Sequence, residues 1–160
     1  MMNRDEVKVL LHHREPYLMV DRVDALTPES VTGVKVHRGD EAHLVGHFPG
    51  APVVPGAMLQ ELCTQSAGVL ITKYHSPEKN YDSERTKGHA LGVLSKVDYA
   101  KYLGVVKVDR EVFAVVDLIE QLGPLFKFKA RVLQDGRLKA KLMFSLMNLS
   151  DDHLIEDNQV

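Results

Sequence analysis

A chain of 160 residues, 44% hydrophobic and 26% charged, has the size and composition of one globular domain with a sizeable core. Its formal net charge of −2 implies no general affinity for nucleic acid or for an anionic membrane, and no apolar run reaches the length of a membrane span. A single cysteine excludes an internal disulfide, and the acid-containing start Met1-Met2-Asn3-Arg4-Asp5-Glu6 lacks a signal-peptide core, so a cytoplasmic protein is expected.

In chain order, residues 5–11 predict a short helix with Val7, Leu10 and Leu11 on one face. Pro16 breaks the chain, and 18–23 reads as a first strand. Thr27 to Ser30 is a turn, and the β-branched alternation of 31–37 reads as a second strand. Residues 39–45 lead into a loop in which Pro49, Pro52 and Pro55 fix φ every third residue, while Gly46, Gly50 and Gly56 supply the bends. A helix starts around Pro55–Gly56 and ends near Tyr74. From Ala57 to Thr72 its only charged residue is Glu61, and a helix apolar nearly all round is buried.

Residues 76–87 are polar and turn-rich, so they read as an exposed loop. Strands are expected at 90–97, 105–108, 112–119, 125–133 and 138–149. Phe126, Phe128, Ala130 and Val132 should face inward against Leu138, Ala140, Leu142, Phe144 and Leu146. Asp135-Gly136 is a strong hairpin signal, and the acidic segment 150–160 should fray. The pattern predicts one α+β domain over 1–160, with a largely antiparallel curved sheet wrapped around one long helix.

A carboxyl on an apolar helix must find a partner or stay protonated. With His47 in the loop upstream, Glu61 forms a pair suited to acid–base chemistry on an acyl carbonyl. His47 suits a base because imidazole titrates near neutrality, and Glu61 suits an acid if burial keeps its proton. The N–H of Gly56, at the helix start, has no intrahelical acceptor and can bind a carbonyl oxygen. Taken alone, His47 also fits a structural histidine, and Glu61 a buried carboxyl paired with backbone. The Gly/Pro loop joining them is what favours catalysis. Gln65, one turn beyond Glu61, could hold Glu61 or a water, or pack at an interface. Cys63 points away from Glu61 and reads as a core thiol. His12-His13 do not suggest a metal site, because adjacent residues rarely converge on one ion, and neither metal nor cofactor is expected.

The motif His47-Phe-Pro-Gly50, then Pro52-Val-Val-Pro-Gly56, then Glu61 and Gln65, resembles the hot-dog-fold 3-hydroxyacyl-acyl-carrier-protein dehydratases of bacterial fatty-acid synthesis, in the branch with a catalytic glutamate. His13-Arg14, Pro16, Leu18 and Val20-Asp-Arg22 match that family's N-terminal segment, and the likeness runs from about Leu10 to Leu149. The stretch Lys101 to Arg110 departs from it, lacking the family's prolines and acidic turn residue.

The resemblance implies a hot-dog fold, the catalytic roles given above for His47 and Glu61, and a Val53 carbonyl that orients the imidazole. It places Phe48, Val53, Gly56 and Gln65 on the substrate side. It also implies an acyl carrier protein bearing a 3-hydroxyacyl chain as partner, and a homodimer, in some cases a trimer of dimers, with His47 and Glu61 meeting across the subunit interface. Other readings of the same residues are a hot-dog thioesterase in which Glu61 activates water, and a non-catalytic acyl or carrier binder. Lys127, Lys129, Arg131, Arg137, Lys139 and Lys141 alternate along one hairpin and would give a basic face for an acidic carrier, unless that face is simply solvated. Lys96, Lys101 and Arg110 are rival docking residues.

Overall fold

The computed structural model describes residues 1–85 and 91–149. Helix α1 (Arg4–Leu10) opens with a capping box in which the Asn3 side chain accepts from the Glu6 N–H and Glu6 accepts from the Asn3 N–H. Strands β1 (Arg22–Leu26) and β2 (Ser30–Val36) form a hairpin. A four-residue helix, α2 (Ala42–Val45), precedes the proline loop. The long helix α3 (Gly56–Leu70) continues as a π-helical turn over Ile71–His75. Strands β3 (Leu91–Tyr102), β4 (Glu111–Leu122), β5 (Leu125–Gln134) and β6 (Arg137–Leu149) complete the chain. All pairings are antiparallel, and the sheet order is β1-β2-β4-β5-β6-β3.

The helix packs into the concave face of this sheet. Leu59, Leu62, Cys63, Ser66, Ala67, Val69 and Leu70 are buried, as the scarcity of charge on this segment requires. Phe126, Phe128, Ala130, Val132, Ala140, Leu142, Phe144 and Leu146 are buried beneath it, with Phe128 and Phe144 stacked at 5.6 Å. Approach of α3 to β2 depends on Gly33, where a Cβ would sit 2.0 Å from the Ser66 hydroxyl oxygen. At the β5–β6 turn, Asp135 and Gly136 both have positive φ, 53° and 68°, as a type I′ hairpin turn requires.

Two expected strands are corrected. Residues 18–20 are buried but pair with no strand, and β1 starts only at Arg22. The Leu18 N–H turns back onto the Arg14 carbonyl, and the Met19 N–H is taken by the Gln65 side chain, so the ladder bonds of a strand are replaced. Residues 105–108 form no strand either. Only a single bridge, Val53 to Lys107, is present, because the Gln134 amide clamps both the N–H and the carbonyl of Lys107 at 2.9 and 2.8 Å. Residues 76–85 are a loop as expected, but not wholly an exposed one, since Tyr81 and Ser83 are buried against the N-terminal segment, with the Ser83 N–H donating to the Val9 carbonyl; 86, 87 and 90 and the tail 150–160 lie outside the described residues. Among the described residues no helix is long and apolar enough to cross a membrane.

Candidate active site

The proline loop holds His47 by its own backbone. The Val53 N–H donates to the His47 carbonyl at 2.9 Å, and the Ala51 N–H to the Phe48 carbonyl at 3.0 Å. This closure brings the Val53 carbonyl to the imidazole, where His47 Nδ1–H donates to it at 2.8 Å. A carbonyl can only accept, so Nδ1 carries a proton and the neutral ring has its lone pair on Nε2. Phe48 stacks on the imidazole with ring centres 4.3 Å apart and is 57% exposed. Gly56 is the first residue of α3, capped by Pro55, so its N–H has no intrahelical acceptor. The Tyr102 ring lies against it, since a Cβ at Gly56 would come within 2.9 Å of that ring.

Glu61 sits about 7.5 Å further along α3, at 1.5 Å per residue. Its Oε1 accepts from Gln65 Nε2 at 2.8 Å, and Thr64 Oγ1 lies 3.3 Å from Oε2. Gln65 is buried, and its amide is fully used. Oε1 accepts from the Met19 N–H at 2.7 Å, while Nε2 donates to the Tyr17 carbonyl at 2.9 Å as well as to Glu61. A backbone donor on one side and a backbone acceptor on the other fix which end of the amide is which. Gln65 therefore holds the carboxyl of Glu61 and ties the N-terminal segment onto α3.

Gln65→Ala should leave the buried Met19 N–H without its partner, at a cost of about 1–3 kcal/mol of stability, and free the half-exposed Tyr17 carbonyl to water at a smaller cost. Urea unfolding checks this; an unchanged midpoint would mean that the amide is dispensable.

Glu61 lines a cleft of about 530 Å³ with Met58, Gln60 and Ile71 of the helix region, His13 and Tyr17 of the N-terminal segment, and Val93 and Leu94 of β3. His13 and Tyr17 are the residues that the sequence reading missed as neighbours of Glu61. Nothing in their spacing announces the contact; the turn in which the Tyr17 N–H donates to the Arg14 carbonyl creates it. His13 Nε2 is 3.9 Å from Glu61 Oε1, and its ring stacks with Tyr17. Burial pulls His13 below its ordinary value against the opposing pull of Glu61. Partial burial, then the Glu61 carboxylate, push the Tyr17 phenol up. His12 is bonded instead to Tyr81, so the two adjacent imidazoles serve different partners. Cys63 is fully buried and pushed up to about 12 by burial, which leaves it no nucleophilic role.

The cleft beside Glu61 is not lined by His47, Phe48 or Gly56. Strand β3, which forms one wall, is an edge of the sheet bonded only to β6, and it exposes Val93, Leu94 and Val97.

Among known proteins, a FabA-like domain model matches residues 11–142. The chain is 33% identical over 150 residues to a protein of Thiobacillus denitrificans named 3-hydroxyacyl-[acyl-carrier-protein] dehydratase FabZ, covering 91% of this chain and 97% of that one. To a protein of Rickettsia bellii with the same name it is 31% identical over 143 residues, covering 89% and 92%. Among solved structures, it is similar to the dehydratase heterocomplex ApeI:P of Xenorhabdus doucetiae, with a TM-score of 0.77 at 16% identity over 96% of this chain and 97% of that chain. It is also similar to a hypothetical thioesterase of Streptococcus pneumoniae, with a TM-score of 0.60 at 15% identity over 81% and 85%. These structural likenesses share the hot-dog fold.

Proposed function

The chain belongs to the FabA-like domain family, and on that premise we propose that it is a 3-hydroxyacyl-[acyl-carrier-protein] dehydratase of the FabZ kind, working in fatty-acid biosynthesis with His47 and Glu61 as its acid–base pair. The observation that supports the residue assignment is how the two groups are held. The Val53 carbonyl takes the Nδ1 proton of His47, which puts the lone pair of the neutral ring on Nε2, while Gln65 Nε2 and Thr64 Oγ1 hold the two carboxyl oxygens of Glu61. His47 Nε2 removes the C2 proton of the 3-hydroxyacyl thioester. Negative charge growing on the thioester oxygen is met by the Gly56 N–H and the positive end of α3. Glu61 Oε2 protonates the 3-hydroxyl, the C3–O bond breaks, and water leaves the trans-2-enoyl thioester. The proton taken by His47 returns to Glu61 through solvent exchange before the next turnover. No metal or cofactor enters this scheme.

Incubation with a 3-hydroxyacyl carrier protein, followed by mass, tests the reaction. The expected product is the dehydrated, still carrier-bound chain. Release of free acid would instead identify a thioesterase, and an unaltered substrate a binder.

The active unit is a homodimer. One chain's Glu61 cleft lacks His47, and the exposed apolar edge of β3 that walls it is a surface on which a second copy can extend the sheet. Each site then takes His47 from one protomer and Glu61 from its partner. Further assembly into a trimer of dimers rests on the family resemblance alone.

An acyl carrier protein docks on a hollow lined by Lys107, Arg110, Arg137 and Lys139, whose one acid, Asp135, pairs with Arg110 at 2.7 Å. This hollow adjoins the His47 loop through the Val53–Lys107 bridge. Of the hairpin face expected from sequence, Lys127 and Arg131 lie 3.5 Å from Asp98 and 3.8 Å from Asp117, whereas Arg137 and Lys139 belong to this hollow beside the His47 loop. Joint Arg137→Glu and Lys139→Glu substitution should raise KM for the carrier-bound substrate about tenfold at low salt, with kcat nearly unchanged and the effect shrinking as salt rises. An unaltered KM would place docking elsewhere.

A further inference from the structure

Away from the Glu61 cleft, the turn between β2 and α2 gathers His37, Glu41 and His43. Each comes from a fixed stretch of backbone. The His37 carbonyl, just beyond β2, accepts from the Asp109 N–H at 2.8 Å. Glu41 caps the start of α2, its carbonyl accepting from the N–H groups of Leu44 and Val45, and His43 is the second residue of that helix. His37 is fully buried, and its Nε2 has no partner among the described residues, so the polar outlet of this imidazole is Nδ1, facing the cluster.

The three facing atoms make a nearly equilateral triangle. His37 Nδ1 is 3.3 Å from Glu41 Oε2, His43 Nε2 is 3.4 Å from His37 Nδ1, and His43 Nε2 is 3.4 Å from Glu41 Oε2. As hydrogen bonds these are long, since such bonds cluster at about 2.7–3.2 Å. As the face of a coordination tetrahedron they fit. Metal–ligand distances of about 2.0–2.2 Å to imidazole nitrogen and carboxylate oxygen place neighbouring ligands about 3.3–3.6 Å apart. Lys35 Nζ holds the other carboxylate oxygen, Oε1, at 2.7 Å, which orients Glu41 as an outer partner orients a ligand. Asp21, 3.5 Å from the same ammonium, offsets its charge. The Arg38 N–H also donates to Oε2, at 3.2 Å, leaving that oxygen a further lone pair. Beyond the triangle lies an open hollow of about 720 Å³ that His43 and Glu41 help to line, with room for a water as fourth ligand.

We propose that His37, Glu41 and His43 bind one divalent transition metal ion of the zinc class, as a clasp that ties the end of β2 to α2. Helix α2 leads straight into the His47 loop, with the His47 N–H donating to the Leu44 carbonyl at 3.0 Å. The ion stiffens the approach to that loop and takes no part in proton transfer. Three ligands within seven residues, two of them imidazoles, match the donor set that zinc prefers.

The test uses tag-free protein stripped with chelator and titrated with ZnCl2 alone, read by calorimetry and by thermal unfolding. One zinc per chain and a rise in Tm of several degrees at saturation are expected. His43→Ala and Glu41→Gln should each weaken binding by about 10²-fold, while His75→Ala, which alters an imidazole bonded to the Pro28 carbonyl away from the cluster, should leave it unchanged. Cobalt(II) loading of the unsubstituted protein needs no folded variant. It should give the intense visible bands of tetrahedral cobalt, and X-ray absorption should show two imidazole ligands. Absence of saturable zinc uptake, octahedral cobalt without imidazole ligands, or zinc binding that His43→Ala leaves intact in a folded protein would each overturn the site.

Discussion

Glu61→Gln should lower kcat about 10²–10⁴-fold, the range in which positioned general acids contribute. That corresponds to about 2.7–5.4 kcal/mol of barrier at about 1.36 kcal/mol per decade. The substitution keeps shape and removes only the transferable proton. Gln65 Nε2 can still donate to the new amide oxygen, and the Glu61 side chain is 18% exposed, so no buried group is orphaned. The variant should therefore fold, with a circular dichroism spectrum and unfolding midpoint close to those of the parent. KM should change little, because the lost interaction belongs to the transition state. Activity within about threefold of the parent in a folded Glu61→Gln protein would remove Glu61 from the acid role. His47→Ala should cost as much by deleting the base, although it also frees the Val53 carbonyl from its 2.8 Å partner.

His47 and Glu61 stood out as candidates because their signal is local. A proline–glycine loop carrying the one runs into a charge-poor helix on which the other is the single carboxyl, whereas the cleft beside Glu61, which lacks His47, was not visible in that segment. The β5–β6 hairpin was legible for the same reason, since Asp135-Gly136 and the alternating apolar residues mark the turn and its two strands, except that a register shift between Val132 and Leu133 leaves Leu138, expected inward, half-buried. What stayed hidden depends on contacts far apart in sequence. Residues 18–20 have the composition of a strand, yet Gln65, 46 residues beyond Met19, takes the backbone donor that a neighbouring strand would have used. Residues 105–108 alternate like a strand, but Gln134 occupies both backbone groups of Lys107, and Asp109 follows with φ of 58°. His13 and Tyr17 reach Glu61 only because the Pro16 turn lays that segment over α3, and a pattern read along the chain does not show what lies beneath it. The His37, Glu41 and His43 cluster spans a strand end and a four-residue helix too short to announce itself by periodicity.

The central claim is that each site is shared between two protomers, and subunit mixing tests it most directly. His47→Ala and Glu61→Gln homodimers each lack one group at both sites and should be nearly inactive. When the two proteins are mixed in equal amounts and allowed to exchange, about half the dimers become mixed. A two-fold interface gives every mixed dimer one site with both groups intact and one with neither. Activity should rise from the residual level of either variant to about a quarter of the parent's. Native mass spectrometry on the same sample confirms that exchange has occurred. If mixed dimers are present and activity stays at the level of the single variants, His47 and Glu61 do not meet across the interface, and the shared-site account is wrong.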